Sequence, residues 1–140
     1  MEEIRKVIEG RYERLAAGDV NGMLAFYAPQ AVQFSLAPPL GGRTDGRDPG
    51  PVSAWLATFT APPRRAVTQL EITAAADVAF ATSIDSMTAA PQGRAEAFTL
   101  WYRVTLGLRR IDGQWLIVHE HESVPFYMDG SLRAAVDLKP

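Results

Sequence analysis

Two runs of alternating apolar and polar residues meet at Asp112-Gly113, and no other feature constrains the fold of this chain so strongly. The run after the junction is QWLIVHEHES (114–123), and the run before it extends from about Ala97 to Arg110. Asp-Gly supplies the positive φ angles that a two-residue hairpin requires, so two long antiparallel strands are expected side by side. Two more alternating segments precede them, VTQLEITAA (67–75) and VAFATSIDSM (78–87), with Ala75-Ala76-Asp77 as the turn between them. Gln92-Gly93-Arg94 breaks the next connection. Everything after about residue 66 therefore reads as antiparallel sheet.

The N-terminal part has the other period. Ile4, Val7, Ile8, Tyr12 and Leu15 recur at helical spacing, and Glu2, Glu3, Arg5, Lys6, Glu9, Arg11, Glu13 and Arg14 fill the opposite face. Gly18 is placed to stop this helix and Asp19 to cap the next, a short one through Val20, Met23, Leu24, Phe26 and Tyr27 that Pro29 ends. Residues 31–36 read as one short strand, and Pro38 to Pro51 as a loop too rich in Pro and Gly for either element. A third helix follows through Val52, Trp55, Leu56 and Phe59. The expected fold class is α+β, a curved antiparallel sheet wrapped over N-terminal helices, in one domain spanning 1–140.

Composition limits what such a domain serves. A formal net charge of −2 with no Lys/Arg stripe argues against nucleic acid. The absence of cysteine excludes disulfides and thiolate metal sites. No apolar run approaches the roughly 20 residues of a membrane helix, and MEEIRKVIEG lacks a signal-peptide pattern, so a cytoplasmic location without membrane contact is expected.

Particular residues carry a resemblance. Ala17-Gly18-Asp19-Val20-Asn21-Gly22, Phe26-Tyr27-Ala28-Pro29-Gln30-Ala31-Val32, Gly46-Arg47 and Asp112-Gly113-Gln114-Trp115-Leu116-Ile117-Val118-His119 resemble the nuclear transport factor 2-like superfamily, in particular its SnoaL-like and ketosteroid-isomerase-like bacterial members. The resemblance implies a cone-shaped fold with an internal pocket between sheet and helices, often in a homodimer; the reaction does not follow from the fold. Steroid isomerisation needs a carboxylate base, with a Tyr and a protonated Asp on the oxyanion. Aligned on Gly18-Asp19, the tyrosine position falls on Arg11, with Tyr12 one residue out, and the base position falls on Ser35. Aligned on Asp112-Gly113, the oxyanion Asp position falls on Thr105. All three roles are missing or altered, so the chain is not expected to be a true steroid isomerase.

Candidate site residues come from strand periodicity. Period 2 places Trp115, Ile117, His119, His121 and Ser123 on one face of the last strand and Leu116, Val118, Glu120 and Glu122 on the other. Because Trp115 and Ile117 belong in the core, His119 and His121 are expected in the cavity, where imidazole suits proton transfer or an acidic ligand. Two imidazoles at i and i+2 can share a metal, but a catalytic site wants a third protein ligand that no spacing supplies, so neither metal nor cofactor is expected. Asp85 is the third catalytic candidate. On a concave face it would be a buried carboxylate and a possible general base; on a convex face it would be solvated, the commoner case for strand carboxylates. A two-residue hairpin would pair Arg110 with Trp115, Arg103 with Glu122 and Thr105 with Glu120, a register that a bulge would shift by one. Tyr12, Tyr27, Phe34, Trp55, Trp101 and Ser123 complete the expected ligand-binding set. Leu116 and Val118 on the outer face, together with the family resemblance, suggest a homodimer through that face. The apolar tail after Pro125 is expected to fold back over the sheet or a partner.

Two functions are open. One is a SnoaL-like lyase or isomerase doing acid/base chemistry on an apolar, oxygenated small molecule. The other is a non-catalytic ligand-binding or accessory dimeric protein that uses the same pocket.

Overall fold

Helix α1 (Glu2–Ala16) buries Ile4, Val7, Ile8, Tyr12 and Leu15, as its spacing predicts. Arg11 joins that stripe instead of the polar face, with no exposed surface. The computed structural model describes residues 1–140, the side chain of Thr44 excepted. Gly18 takes a left-handed φ of 74°, and its N–H and that of Asp19 close the helix end on Leu15 and Arg14. Asp19 then caps α2 (Val20–Leu24) by accepting from the Gly22 N–H at 2.9 Å.

The second helix ends sooner than the sequence suggests, and Tyr27 already begins strand β1 (Tyr27–Phe34). The Pro/Gly-rich loop contains a short strand of its own, β2 (Gly42–Asp45), which pairs antiparallel with β1. Helix α3 (Gly50–Leu56) leads into β3 (Arg64–Ala74), β4 (Val78–Ala89), β5 (Phe98–Ile111) and β6 (Gln114–Ser123). These make one curved six-stranded sheet in the order β2-β1-β6-β5-β4-β3, antiparallel throughout except where β1 runs parallel to β6. The α+β architecture is therefore as expected. Among the described residues, no helix is long and apolar enough to cross a membrane.

The inner face of the sheet follows period 2. Ala79, Ala81, Ser83, Asp85 and Met87 of β4 lie opposite Leu108, Leu106, Val104, Tyr102 and Leu100 of β5. Ile4 and Ile8 pack in the same core cluster as Leu106, Leu108 and Ile117.

The register of β6 departs from the expectation at one residue. Asp112 and Gly113 form the two-residue turn with φ of 51° and 81°, and Arg110 pairs with Trp115 as predicted. Leu108 pairs with Ile117 but Gly107 pairs with His119, so Val118 is an extra residue, a β-bulge. Every later side chain changes face. Arg103 consequently pairs with Ser123, and Thr105 with His121, in place of the glutamates expected there.

The outer face also differs in composition. Leu116 is covered within the single chain at 8% exposure, whereas Val78 and Phe80 are 56% and 54% exposed. The tail forms a small hairpin of its own, with Phe126 bridged to Ala134, and Met128 and Leu132 remain exposed.

Gly113 occupies a backbone region that costs an L-residue about 1–2 kcal/mol. Gly113→Ala should lower the urea midpoint by a corresponding amount, with an unchanged denaturant slope.

Candidate functional site

The bulge at Val118 turns Glu120 and Glu122 inward and His119 and His121 outward, which corrects the expectation that the two histidines share the face of Trp115. Glu120 and Glu122 are each 7% exposed. Facing them from α1 is Arg11, whose Nε lies 3.7 Å from Glu120 Oε2 and whose guanidinium sits 3.9 Å above the Tyr12 ring. Tyr27 donates to Glu120 Oε2 at 2.8 Å, and Gln33 Nε2 reaches Glu120 Oε1 at 3.4 Å. Arg65, at the start of β3, donates to Glu122 Oε2 at 2.7 Å. Its guanidinium stands within 5.5 Å of the Tyr12, Trp55 and Tyr102 ring centroids.

A second part of this network contains the candidate acid/base group. Tyr12 donates to Asp85 Oδ2 at 2.6 Å, and its oxygen lies 3.1 Å from that of Tyr102. With Asp85 ionised, the Tyr12 proton is committed to the carboxylate, so Tyr102 donates to Tyr12. With Asp85 protonated, the chain can run in reverse. Asp85 is fully buried on the concave face, which overturns the solvated position expected for it.

Burial pushes the Asp85 carboxyl up from its ordinary value, and the neighbouring Ser83 and Tyr12 hydroxyls and the Arg11 charge offset this only in part. Burial and the Glu122 charge likewise raise Glu120 against the pull of Arg11 and Tyr27. Tyr12 is pushed up to about 12 by burial, with Arg11 and Arg65 opposing, so it works as a neutral phenol.

The interior between α1 and the sheet is thus occupied by side chains, and the adjoining open space is a cleft of about 400 Å³ on its flank. Glu9, Tyr12 and Glu13 of α1 form one wall, and Arg64, Arg65 and Val67 of β3 the other. Tyr12 and Arg65 therefore connect the cleft to the buried network.

The expected site residues divide accordingly. Tyr12, Tyr27, Trp55 and Asp85 belong to the network or border it. Phe34 lies on the outer face, edge-on to His119 and His121 at centroid distances of 5.2 and 5.5 Å. Trp101 pairs with Ser86 on that face, and Ser123 accepts there from Arg103 Nε at 3.2 Å. Arg11, Arg65, Tyr102, Glu120 and Glu122 were not expected as site residues. Arg11 was detectable as the polar member of the stripe Ile4, Ile8, Arg11, Leu15, and Tyr102 as a hydroxyl among Leu100, Val104 and Leu106. The two glutamates had no such signal, because nothing in WLIVHE marks the bulge.

The raised Asp85 makes stability depend on pH. The carboxyl binds its proton more tightly folded than unfolded, so its contribution is fullest in acid and is lost as pH rises from 3.8 through the raised folded value. Asp85→Asn should therefore lose less stability than the wild type between pH 4 and pH 8, as measured by urea denaturation at each pH.

The sequence profile of the SnoaL-like domain family matches residues 4–127. Among solved structures, this chain is similar to a nuclear transport factor 2-like protein of unknown function from Pseudomonas putida, with 31% identity, 99% of this chain and 95% of that one covered, and a TM-score of 0.84. A candidate scytalone dehydratase from Novosphingobium aromaticivorans is 16% identical, with 100% and 93% covered and a TM-score of 0.78. A ketosteroid isomerase-like protein from Erwinia carotovora is 15% identical, with 87% and 93% covered and a TM-score of 0.71. These last two similarities concern the fold. A search of curated proteins returns no match.

Proposed function

The chain belongs to the SnoaL-like domain family of the nuclear transport factor 2-like superfamily, and on that premise we propose that it is an acid/base enzyme of the lyase or isomerase kind, acting on a small oxygenated metabolite. The observation that carries this reading is the hydrogen-bonded row Tyr102–Tyr12–Asp85, which joins the open cleft to a buried carboxyl of raised proton affinity. A general base works best when its pKa approaches the operating pH, and burial moves Asp85 in that direction. Tyr12 is the group that meets substrate. As its oxygen takes a proton from a carbon beside a carbonyl, its own proton passes to Asp85, and the substrate becomes an enolate. Return of the proton at another carbon completes an isomerisation; its return to a departing β-hydroxyl, which then leaves as water, completes a dehydration. His119, His121, Phe34, Trp101 and Ser123 lie on the other side of the sheet and have no part in this reaction.

Proton exchange tests the proposal without knowledge of the product. In D₂O the protein should speed deuterium incorporation into at least one member of a panel of enolisable small ketones, followed by proton NMR. Asp85→Asn should slow it by on the order of 100-fold or more, and Tyr12→Phe should do the same. Exchange that survives both changes removes the relay from the mechanism.

The alternative is a ligand-binding protein that uses the same cleft without turnover. It is favoured by one observation: Arg11 and its ion partners occupy the interior where a cavity was expected. A compound that binds at the cleft with no exchange would support it.

We propose that the chain self-associates through the outer sheet face, a second copy covering Val78 and Phe80, apolar residues exposed there. Light scattering should show a dimer at micromolar concentration and a monomer for Phe80→Ser.

A further inference from the structure

The two histidines of the chain, which the relay does not use, stand at i and i+2 on the outer face of β6. His119 Nδ1 lies 2.8 Å from the Val32 carbonyl oxygen. A carbonyl oxygen only accepts, so Nδ1 carries the proton and Nε2 keeps its lone pair. A metal-binding histidine is commonly prepared in this way, its second nitrogen held by a backbone carbonyl that fixes tautomer and ring orientation. His121 is exposed, and both imidazoles stand edge-on to the same Phe34 ring. Gly107, opposite His119, lets the two strands pack closely here; a Cβ there would stand 3.3 Å from His119 Cβ.

We propose that His119 and His121 form a two-imidazole chelate for a borderline divalent ion such as Cu²⁺ or Zn²⁺ on the outer face of the sheet. Both ligands come from one strand of one chain, and solvent completes the coordination sphere; among the described residues no group of three or more ligating side chains is present. The neighbours define the selectivity. Val32 and Phe34 on β1 and Thr105 and Gly107 on β5 are uncharged, and the charged residues beside them on this face, Arg103 and Arg109 on β5 and Arg43 opposite Val32, are cations. A donor set with no carboxylate disfavours Mg²⁺, Ca²⁺ and Mn²⁺, and among the remaining ions affinity should follow the order Co²⁺ < Ni²⁺ < Cu²⁺ > Zn²⁺.

Two donors on a rigid strand raise affinity over one by on the order of 100-fold or more, because the second binding step is intramolecular. Calorimetric titration of the full chain with Cu²⁺ in a non-coordinating buffer at pH 7.5 should show one ion per chain. His119→Gln and His121→Gln should each weaken it by about 100-fold, and the double variant should add little further loss. Zn²⁺ should shift the ring resonances of both histidines together, and excess EDTA should reverse the shift. His121 is exposed, so His121→Gln should keep the wild-type Tm and report on binding alone. A wild-type affinity equal to that of the double variant, or unchanged in His121→Gln, overturns the chelate.

Discussion

Between Leu108 and Gly107 of β5 the chain advances by one residue, whereas between their partners Ile117 and His119 on β6 it advances by two. That mismatch at Val118 determines what the interior of the protein contains. Before it, Trp115 and Ile117 face α1 and build an ordinary apolar core. After it, Glu120 and Glu122 take the same face, with Arg11 and Arg65 as their counter-ions. Without the bulge, the two histidines would have lined the interior, and Arg11 would have been buried with no carboxylate from β6.

Arg11 is held by charge more than by hydrogen bonding. All three of its guanidinium nitrogens are buried and lack a hydrogen-bond partner among the described residues. Desolvating an ion costs several kcal/mol, and a lone charge would not remain there. What offsets the cost is a set of long-range and π contacts: Glu120 at 3.7 Å, the Tyr12 ring at 3.9 Å, and Tyr27 and Glu122 nearby. The guanidinium thereby stacks on the phenol that links the cleft to Asp85, so the packing of α1 on the sheet and the geometry of the relay depend on the same side chain.

Much of this organisation is legible in the amino-acid sequence. The element types follow from two periods and a few punctuating residues, with Gly18, Asp19 and Asp112-Gly113 each doing what its chemistry predicts. Tyr12 and Asp85 were identifiable as site candidates, Tyr12 as the phenol one residue from the position that the resemblance marks for a tyrosine and Asp85 as a carboxylate within an alternating strand. The assignment of faces beyond Val118 was not legible, because period 2 is inherited from the nearest core pair and one inserted residue inverts it for the rest of the strand. The short strand β2 was hidden for a different reason: Pro and Gly dominate its neighbourhood, and only four residues pair.

The charges in the interior bear on how the proposed relay would work. Two guanidiniums, Arg11 and Arg65, face three carboxyls, Asp85, Glu120 and Glu122, in a single buried neighbourhood. If all three carboxyls were ionised, a net negative charge would be enclosed away from water, which is far more costly than retaining one proton. Burial raises the proton affinity of Asp85 and of Glu120, which occupy separate arms of the network, one on Tyr12 and the other on Tyr27. A proton held on Glu120 leaves Asp85 ionised and able to accept from Tyr12. A proton held on Asp85 leaves it able to donate, with Arg11 then free to serve Glu120. On the proposed mechanism the arrangement would present the cleft with either a base or an acid through the same phenol, and the charge of Arg11, lying between the two arms, would couple one state to the other.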